Sequence, residues 1–498
     1  MSASIRRTKT ASGATAVQVV RYERRRVVVI KHIGSGHSTD EVNALIEGAR
    51  QWITRSTLQV PLFGDDKRRS LALATTRYVG VTHAFAYTVL LACAERCGLH
   101  RLQDELLVDL AIMRLVEPGS KLRAIERMKE FFDRHHAERS VYRALGHMPS
   151  HKDALERLAV GYAQDQLKSG LNLVLYDVTT LYFESFRADE LRKPGYSKDG
   201  KPQQPQIVLG LLVTTDGFPL GYEVFPGNTF EGKTMLPVVR AFMARHRVKN
   251  LAIVADAAML AQNLLEELRG EGLSYIVGAR LANTNTKLID HVCAALARHE
   301  GAIVRVPSKH GDMVCQFSLK RFKKDMAILQ QQLAKAQALV ARGEPGRRAK
   351  FVTHKNAKSG YAIDQTLIDK TTRLLGIKGY CTNIPQEQLD NAQVIARYHD
   401  LWHVEKAFRM AKSDLATRPI YHHKLASVHA HMAVCFAALM MARALELATA
   451  NSLRKVIDAI WAVTDAKLID TVTNQVFIMR SPIPEYTKAM ITSLGLSY

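Results

Sequence analysis

The middle of the chain constrains the fold most, because short apolar runs alternate there with amphipathic stretches. The pattern predicts three strands, a helix, a strand, a second helix and a last strand, in the order β-β-β-α-β-α-β. The predicted elements lie at 171–176, 206–215, 220–225, 234–246, 251–255, 263–269 and 274–277. Asp216-Gly217, between the second and third strands, is a typical hairpin turn. This order predicts an α/β domain built on a mixed sheet.

Two aspartates occupy equivalent places in this pattern. Asp177 directly follows the first predicted strand, and Asp256 directly follows the strand at 251–255. If the two strands are parallel neighbours, both carboxylates lie at the same edge of the sheet, where α/β proteins often place their functional sites. A single aspartate after a strand is more often a turn or cap residue. The shared position is what favours a joint site.

A third acid, Glu405, lies in the amphipathic stretch 398–412. Residues spaced three or four apart share one face of a helix. On that spacing we expect one face to carry Tyr398, Trp402, Glu405, Arg409 and Lys412. An acid between an aromatic ring and cations is unusual in a core and suits phosphate binding beside a metal. The alternative is that Glu405 is an ordinary surface acid.

Three carboxylates together would give an all-oxygen site, which suits Mg²⁺ or Mn²⁺. Two such ions about 4 Å apart can activate a water or a 3′-hydroxyl and stabilise the leaving oxygen of a phosphodiester. Asp177, Asp256 and Glu405 are therefore the candidate metal ligands and catalytic residues.

Several runs make the sequence similar to DDE transposases of insertion sequences, whose catalytic core is RNase H-like. It most resembles the branch with an insertion domain between the second aspartate and the glutamate, and with a Tyr-x2-Arg-x3-Glu-x6-Lys signature. Tyr398, Glu405 and Lys412 fit that spacing, whereas Leu401 stands at the arginine position. Further matching runs lie at 31–35, 175–184, 227–231, 254–259, 380–383 and 418–422.

The resemblance implies that Asp177, Asp256 and Glu405 hold two Mg²⁺ or Mn²⁺ ions. It also implies that Tyr398 and Lys412 contact phosphate at the transposon end. Arg409 is a candidate for the missing signature cation, as is Arg397. The exposed base of an opened duplex could stack on Trp402, and packing of this ring against the core is an equal alternative.

Charge and the predicted secondary structure divide the rest of the chain into regions. The net charge is +22 over 498 residues, which favours a polyanionic partner such as nucleic acid. A basic hairpin is predicted from strands at 15–22 and 26–33, and helices are predicted at 70–97, 102–115, 121–135 and 154–168. We expect a helical DNA-binding region with a basic arm at 1–168. An RNase H-like core should follow in two parts, 169–280 and 386–450, with an insertion domain at 281–385 between them. The C-terminal segment is 451–498.

Two other functions compete with transposition. The run 227–234 matches the phosphate-loop pattern GxxxxGK[ST], which would make the protein an ATPase. The predicted hairpin argues against this, because phosphate loops follow strands of parallel sheets, and Glu231 would place a carboxylate among phosphate-binding amides. The charge alone also fits a DNA-binding protein without catalytic activity, which would need no acid triad.

The expected partners are transposon-end DNA and target DNA. Because two ends must be joined, we expect at least a dimer on DNA. The longest apolar run, at 433–442, ends at Arg443 and is short of a membrane span, so no membrane partner is expected. The six scattered cysteines suit a reducing cytoplasm, and a bacterial protein of this kind would associate with the nucleoid when bound to DNA.

Overall fold

The computed structural model of the chain describes residues 4–23, 26–57, 75–257, 264–309, 311–342, 350–354 and 361–496. They form two compact units. Unit 1 comprises Met1–Ala92, Ile125–His136 and Arg454–Tyr498, and unit 2 comprises Cys93–Ala124 and Ala137–Leu453.

The described residues form strands and helices throughout the chain. The strands are β1 (Ser4–Lys9), β2 (Thr15–Glu23), β3 (Arg26–Gly36), β4 (Thr76–Thr82), β5 (Leu173–Tyr182), β6 (Gln206–Val213), β7 (Pro219–Pro226), β8 (Ala252–Ala255), β9 (Ser274–Ala279), β10 (Ile303–Ser308), β11 (Gly311–Phe317), β12 (Val352–His354), β13 (Tyr361–Ile363), β14 (Ile377–Thr382), β15 (Asp465–Asp470) and β16 (Val476–Arg480). The helices are α1 (Thr39–Thr57), α2 (Ala84–Arg96), α3 (Glu105–Val116), α4 (Lys121–Phe132), α5 (Glu138–His147), α6 (Lys152–Asp165), α7 (Met235–His246), α8 (Leu264–Gly270), α9 (Thr286–Leu296), α10 (Leu319–Arg342), α11 (Gln365–Arg373), α12 (Asn391–His399), α13 (Trp402–Arg409), α14 (Leu425–Thr449), α15 (Leu453–Trp461) and α16 (Glu485–Ser493).

Unit 1 contains two small antiparallel sheets. The predicted basic hairpin forms as β2 and β3, and β1 adds a third strand to it. Alternating residues of β2, among them Val17 and Val19, are buried against Leu45 and Ala49 of α1. The second sheet has the order β16-β15-β4.

One helix prediction in this region is wrong. The described part of the predicted helix 70–97 begins with the strand β4, and only Ala84–Arg96 is helical. β4 has the sequence TRYVGVT, in which β-branched and aromatic residues favour a strand and Gly80 disfavours a helix. Antiparallel pairing with β15, which lies almost 400 residues later, stabilises β4 as a strand instead of a helix.

Unit 2 is built around an eight-stranded mixed sheet with the order β10-β11-β14-β9-β8-β5-β6-β7. β8 is parallel to both of its neighbours, β5 and β9, whereas β5, β6 and β7 form an antiparallel meander. The predicted order β-β-β-α-β-α-β is therefore confirmed. Asp216-Gly217 forms the predicted turn between β6 and β7, and Gly217 has the left-handed φ of 79° that such a turn requires.

The segment 281–385 also contributes to this sheet. Its strands β10, β11 and β14 extend the sheet beyond β9. α10 and α11 pack on their own small core of Leu329, Ala336, Phe351 and Leu375. The division of the chain into the five predicted segments remains a prediction, and the insertion shares its sheet with the α/β core.

Of the described helices, α14 is long and apolar enough to cross a membrane by length and composition, but 78% of its most apolar stretch is buried inside the protein. A core helix passes the same test, so this is weak evidence for a membrane span. Arg443 of α14 is buried, and its guanidinium donates to the backbone oxygens of Gly217 (3.0 Å) and Asp216 (2.6 Å). The helix is thereby tied to the β6–β7 turn.

Candidate catalytic site

The parallel pairing of β5 with β8 brings the two aspartates together. Leu173, Val174 and Leu175 pair with Ala252, Ile253 and Val254. Continued by two residues, this register brings Asp177 to the level of Asp256, the residue after β8, and the Asp256 charge acts on Asp177. Asp177 lies inside β5 rather than after it, because 178–182 continues to pair with β6.

Asp177 lies in a partly buried, crowded environment. Its Oδ1 accepts a hydrogen bond from the Val178 amide at 2.8 Å. Burial raises its pKa to about 6, and the nearby carboxylates of Glu231 and Asp256 add to this, whereas the Lys198 ammonium opposes it. Lys198 Nζ is held 2.7 Å from the Val178 carbonyl and 2.9 Å from Glu231 Oε1.

Asp256 is exposed and is oriented by a tyrosine. The Tyr398 hydroxyl donates to Asp256 Oδ1 at 3.0 Å, and the Ala257 amide donates to the same oxygen at 2.7 Å. Tyr398 is buried, with its ring 4.8 Å from the Tyr380 ring and 4.4 Å from Lys378 Nζ. Burial and the neighbouring Asp256 charge raise the pKa of Tyr398, so its hydroxyl stays a hydrogen-bond donor.

Glu405 is exposed on α13, a helix that packs against β5 and β6. Lys378 interacts electrostatically with both Glu405 and Asp256. Burial lowers the pKa of Lys378, and the charges of the two acids oppose that shift. Among the described residues, the three carboxylates do not form a group whose ligand atoms all lie within 4.8 Å of one another. Of these three acids, Asp177 and Asp256 interact electrostatically, since the Asp256 charge raises the pKa of Asp177.

The stretch 398–412 is not one continuous helix, so the spacing of three or four residues does not by itself put its five residues on one face. The chain turns at Asp400 and Leu401 between α12 and α13, and Met410–Asp414 forms a π-helical turn. Trp402 and Arg409 are exposed, and the Trp402 ring lies 3.8 Å from that of His403.

Lys412 is half-buried and forms an ion pair with Asp199 at 3.3 Å. Arg418 pairs with the same carboxylate oxygen at 2.8 Å, and the other oxygen of Asp199 is buried without a hydrogen-bond partner. Burial lowers the pKa of Lys412, and Asp199 opposes that shift.

Sequence reasoning missed Lys198, Asp199 and Lys378. The first two lie in the polar loop 189–205, where turn residues such as Pro194 and Gly200 hide any periodic signal. Lys378 lies on β14, more than 100 residues from Asp256 in sequence. Lys378 lines a cavity of about 470 Å³, together with Asp256, Tyr398 and Arg321.

The phosphate-loop alternative does not fit the structure. β7, which precedes the motif, is antiparallel to β6. Thr234 is fully buried, and its hydroxyl donates to the Glu231 carbonyl at 2.6 Å instead of facing a bound metal. A Cβ atom at Gly227 would meet the backbone oxygens of Gln206 and Lys193, so the backbone of this glycine packs against protein and leaves no room there for a phosphate.

The donor set suits a hard divalent cation. Asp177 and Asp256 offer carboxylate oxygens, and their mutual repulsion would be relieved by a cation between them. The cations that lie near the pair, Lys198 and Lys378, are both engaged with other acids as well. Mg²⁺ or Mn²⁺ fits such a pair of oxygen ligands.

No curated protein matches this chain. The chain is similar to a piggyBac transposase solved in a synaptic complex with hairpin DNA, with 11% identity over 71% of this chain and 68% of that chain and a TM-score of 0.38. The family described as transposase DDE domain matches residues 168–441, which include Asp177, Asp256 and Glu405. This match spans more than half of the sequence, and the chain therefore belongs to the DDE transposase family.

Proposed function

We propose that this DNA transposase cuts the ends of its transposon and joins them to target DNA with Asp177, Asp256 and Glu405 as metal ligands. The observation that carries the proposal is the parallel register of β5 and β8, which sets the two aspartates side by side. Two Mg²⁺ or Mn²⁺ ions bound there would supply Lewis-acid stabilisation of the attacking and leaving oxygens.

The protein's own residues would prepare this site. The Tyr398 hydroxyl and the Ala257 amide both donate to Asp256 Oδ1, so that oxygen is fixed and the other is left for a ligand. Lys198 holds Glu231 and the backbone of Val178 beside Asp177. Glu405 lies on α13, which contacts β5, the strand of Asp177, and β6. Glu405 would serve as the third metal ligand.

DNA contacts are proposed for the exposed cations and rings around this edge. The side chains of Trp402 and Arg409 are exposed to solvent and could contact a DNA strand. Tyr398 and Lys412 already bond to Asp256 and Asp199, so a phosphate contact at either residue would compete with an internal partner. We further propose that residues 1–168 and 281–385 bind transposon-end DNA, and that two copies act together on the two ends, in the cytoplasm of a bacterial cell.

The test is cleavage of the cognate transposon end by the full chain in Mg²⁺, followed by gel analysis of the nicked strand. Each of Asp177→Asn, Asp256→Asn and Glu405→Gln should lower the rate on the order of 10²–10³-fold or more, since each removes part of a charge stabilisation worth several kcal/mol. Mn²⁺ should support cleavage by the parent protein, and chelation should abolish it.

Two variants are matched controls. Glu387→Gln removes an exposed acid outside the site and should cleave like the parent. Lys233→Ala should leave cleavage largely intact, whereas loss of a nucleotide-dependent activity in this variant would favour an ATPase. If Asp177→Asn and Glu405→Gln cleave as well as the parent, the proposed ligands are wrong. DNA binding without any cleavage by the parent would favour the non-catalytic alternative.

A further inference from the structure

A second group of metal-ligand side chains lies far from the acids in sequence. Asp104, His147 and His151 place one ligand atom each within 4.8 Å of one another, all in unit 2. The Nε2 atoms of His147 and His151 lie 3.3 Å and 3.2 Å from the same oxygen, Oδ2 of Asp104. The two rings are nearly perpendicular, with centroids 6.1 Å apart, so they converge through their nitrogens and not by stacking.

These distances match the spacing of ligands around a tetrahedral transition-metal ion. With metal–ligand bonds of about 2.0–2.1 Å, neighbouring ligand atoms of such an ion lie about 3.3 Å apart. His151 Nε2 is also within hydrogen-bond distance of Asp104 Oδ2, and its 3.2 Å is at the long end of the range of about 2.7–3.2 Å for an N–H···O bond. Two histidines and one carboxylate are also a ligand set that zinc uses when it keeps an open position.

The surrounding backbone holds the three ligands in place. Asp104 is the N-cap of α3, where its Oδ1 accepts from the Leu107 amide at 3.0 Å, which leaves Oδ2 free to face the histidines. His147 ends α5, and His151 ends the short 3₁₀ turn Met148–His151 that leads into α6. Met148 in this turn is fully buried, so the spacing between the histidines is fixed by packing.

Burial and electrostatics also suit a bound cation. The side chain of Asp104 is 7% exposed and that of His151 is 19% exposed, whereas that of His147 is 56% exposed. The site is therefore closed on the protein side and open to solvent on the other. His147 lies at the C-terminal end of α5, where the helix dipole favours positive charge.

We propose that Asp104, His147 and His151 form a site for a divalent transition-metal ion such as Zn²⁺, separate from the DDE acids. The ion would join the start of α3 to the junction of α5 and α6 and would keep one coordination position for water. Its role would be to stabilise this helical part of unit 2, because a ligand that binds only the folded state stabilises that state.

The test is calorimetric titration of Zn²⁺ into the full chain after it has been stripped of metal, with excess Mg²⁺ present to occupy hard oxygen sites. The parent protein and Asp177→Asn should bind one Zn²⁺ equally well. Replacement by Co²⁺ should give the visible absorption of a tetrahedral site. His147→Gln, His151→Gln and Asp104→Asn should each weaken Zn²⁺ binding by at least about tenfold.

The variants are chosen so that folding is retained. Asparagine is as good an N-cap as aspartate, and His147 is mostly exposed. His299→Gln removes another exposed histidine and should bind Zn²⁺ like the parent. No Zn²⁺ binding by the parent in excess Mg²⁺, or equal binding by His147→Gln and His151→Gln, would overturn the proposal and leave a histidine–aspartate ion pair only.

Discussion

Lys121 is a buried lysine that faces two histidines instead of an acid. Its Nζ lies 2.7 Å from His422 Nε2 and 2.7 Å from His431 Nδ1. Burial lowers the pKa of Lys121 to about 7, with the Arg114 guanidinium adding to the effect and Cys435 opposing it. Burial likewise lowers the pKa of His422 to about 3 and lowers that of His431. Both rings are therefore neutral acceptors near neutral pH.

This cluster predicts that the folded state gains stability as the pH rises. Between about pH 7 and pH 10.5 the unfolded chain keeps the Lys121 proton and the folded chain does not, so the free energy of unfolding rises by up to about 1.4 kcal/mol per pH unit. Below about pH 6.5 the histidines act in the same direction, and stability falls with acid. Urea unfolding of the parent near pH 7 and near pH 9 should show the alkaline part of this rise.

Lys121→Met isolates the contribution of the lysine. The variant should lose most of the gain between those two pH values, because it has no amine to titrate. Lys249→Met, at an exposed position of the same unit, should keep the gain of the parent. An unchanged gain in Lys121→Met would show that other groups cause it.

Among the elements, β9 fixes the position of Tyr398. A Cβ atom at Gly278 would lie 2.6 Å from the Tyr398 hydroxyl and 3.1 Å from Ala257 Cβ, so only glycine leaves room for the ring beside Asp256. Gly278→Ala should therefore cost about 1–3 kcal/mol of stability through overpacking, measured by urea unfolding. Gly270→Ala should cost less, because nothing lies within 4 Å of a Cβ atom there.

A double variant separates steric strain from other effects of the alanine. Tyr398→Phe removes the atom that the new methyl group meets first, so Gly278→Ala should cost less in the Tyr398→Phe background than in the parent. Equal costs in the two backgrounds would place the strain elsewhere than at the Tyr398 hydroxyl.

The order of elements could be predicted because each buried strand is a short apolar run with polar residues on both sides. The end of β5 was predicted too early, because the charged Asp177 interrupts the apolar run, whereas residues 178–182 continue the strand and pair with β6. The turn at Asp400 and Leu401 lacks proline and glycine and so carries no local signal. Leu401 is 8% exposed, and burial of its side chain accompanies the turn.

Part of the candidate site could also be predicted from short buried apolar runs. Asp177 and Asp256 follow a local rule, since each directly follows a buried apolar run, although β5 continues beyond Asp177. Tyr398 was singled out by a motif, but its bond to Asp256 joins residues 142 positions apart and depends on the packing of α12. Lys198 and Asp199 act from a loop, where sequence patterns give no spatial information. The neighbours of the two aspartates are therefore set by long-range packing, which local sequence spacing does not reveal.

At the scale of the whole molecule, the excess of cations predicts strong salt dependence of DNA binding. The net charge is +22, and each phosphate contact adds about 0.9 to the slope of log K against log salt. The position of the cations should matter as well as their number. Lys320 and Lys324 are exposed on the first turns of α10, beside Arg321, which lines the cavity next to Asp256.

Lys320→Gln with Lys324→Gln should thus weaken DNA binding and lower the magnitude of the salt slope by up to about 1.8, the value for two phosphate contacts. The matched control is Lys168→Gln with Lys249→Gln, which removes the same charge from exposed residues before the amino ends of β5 and β8, whereas Asp256 follows the carboxyl end of β8. Fluorescence anisotropy of labelled duplex DNA at several salt concentrations measures both slopes. If DNA lies along the carboxyl edge of β5 and β8, only the first pair changes the slope, whereas equal changes in both pairs would mean that net charge acts without regard to position.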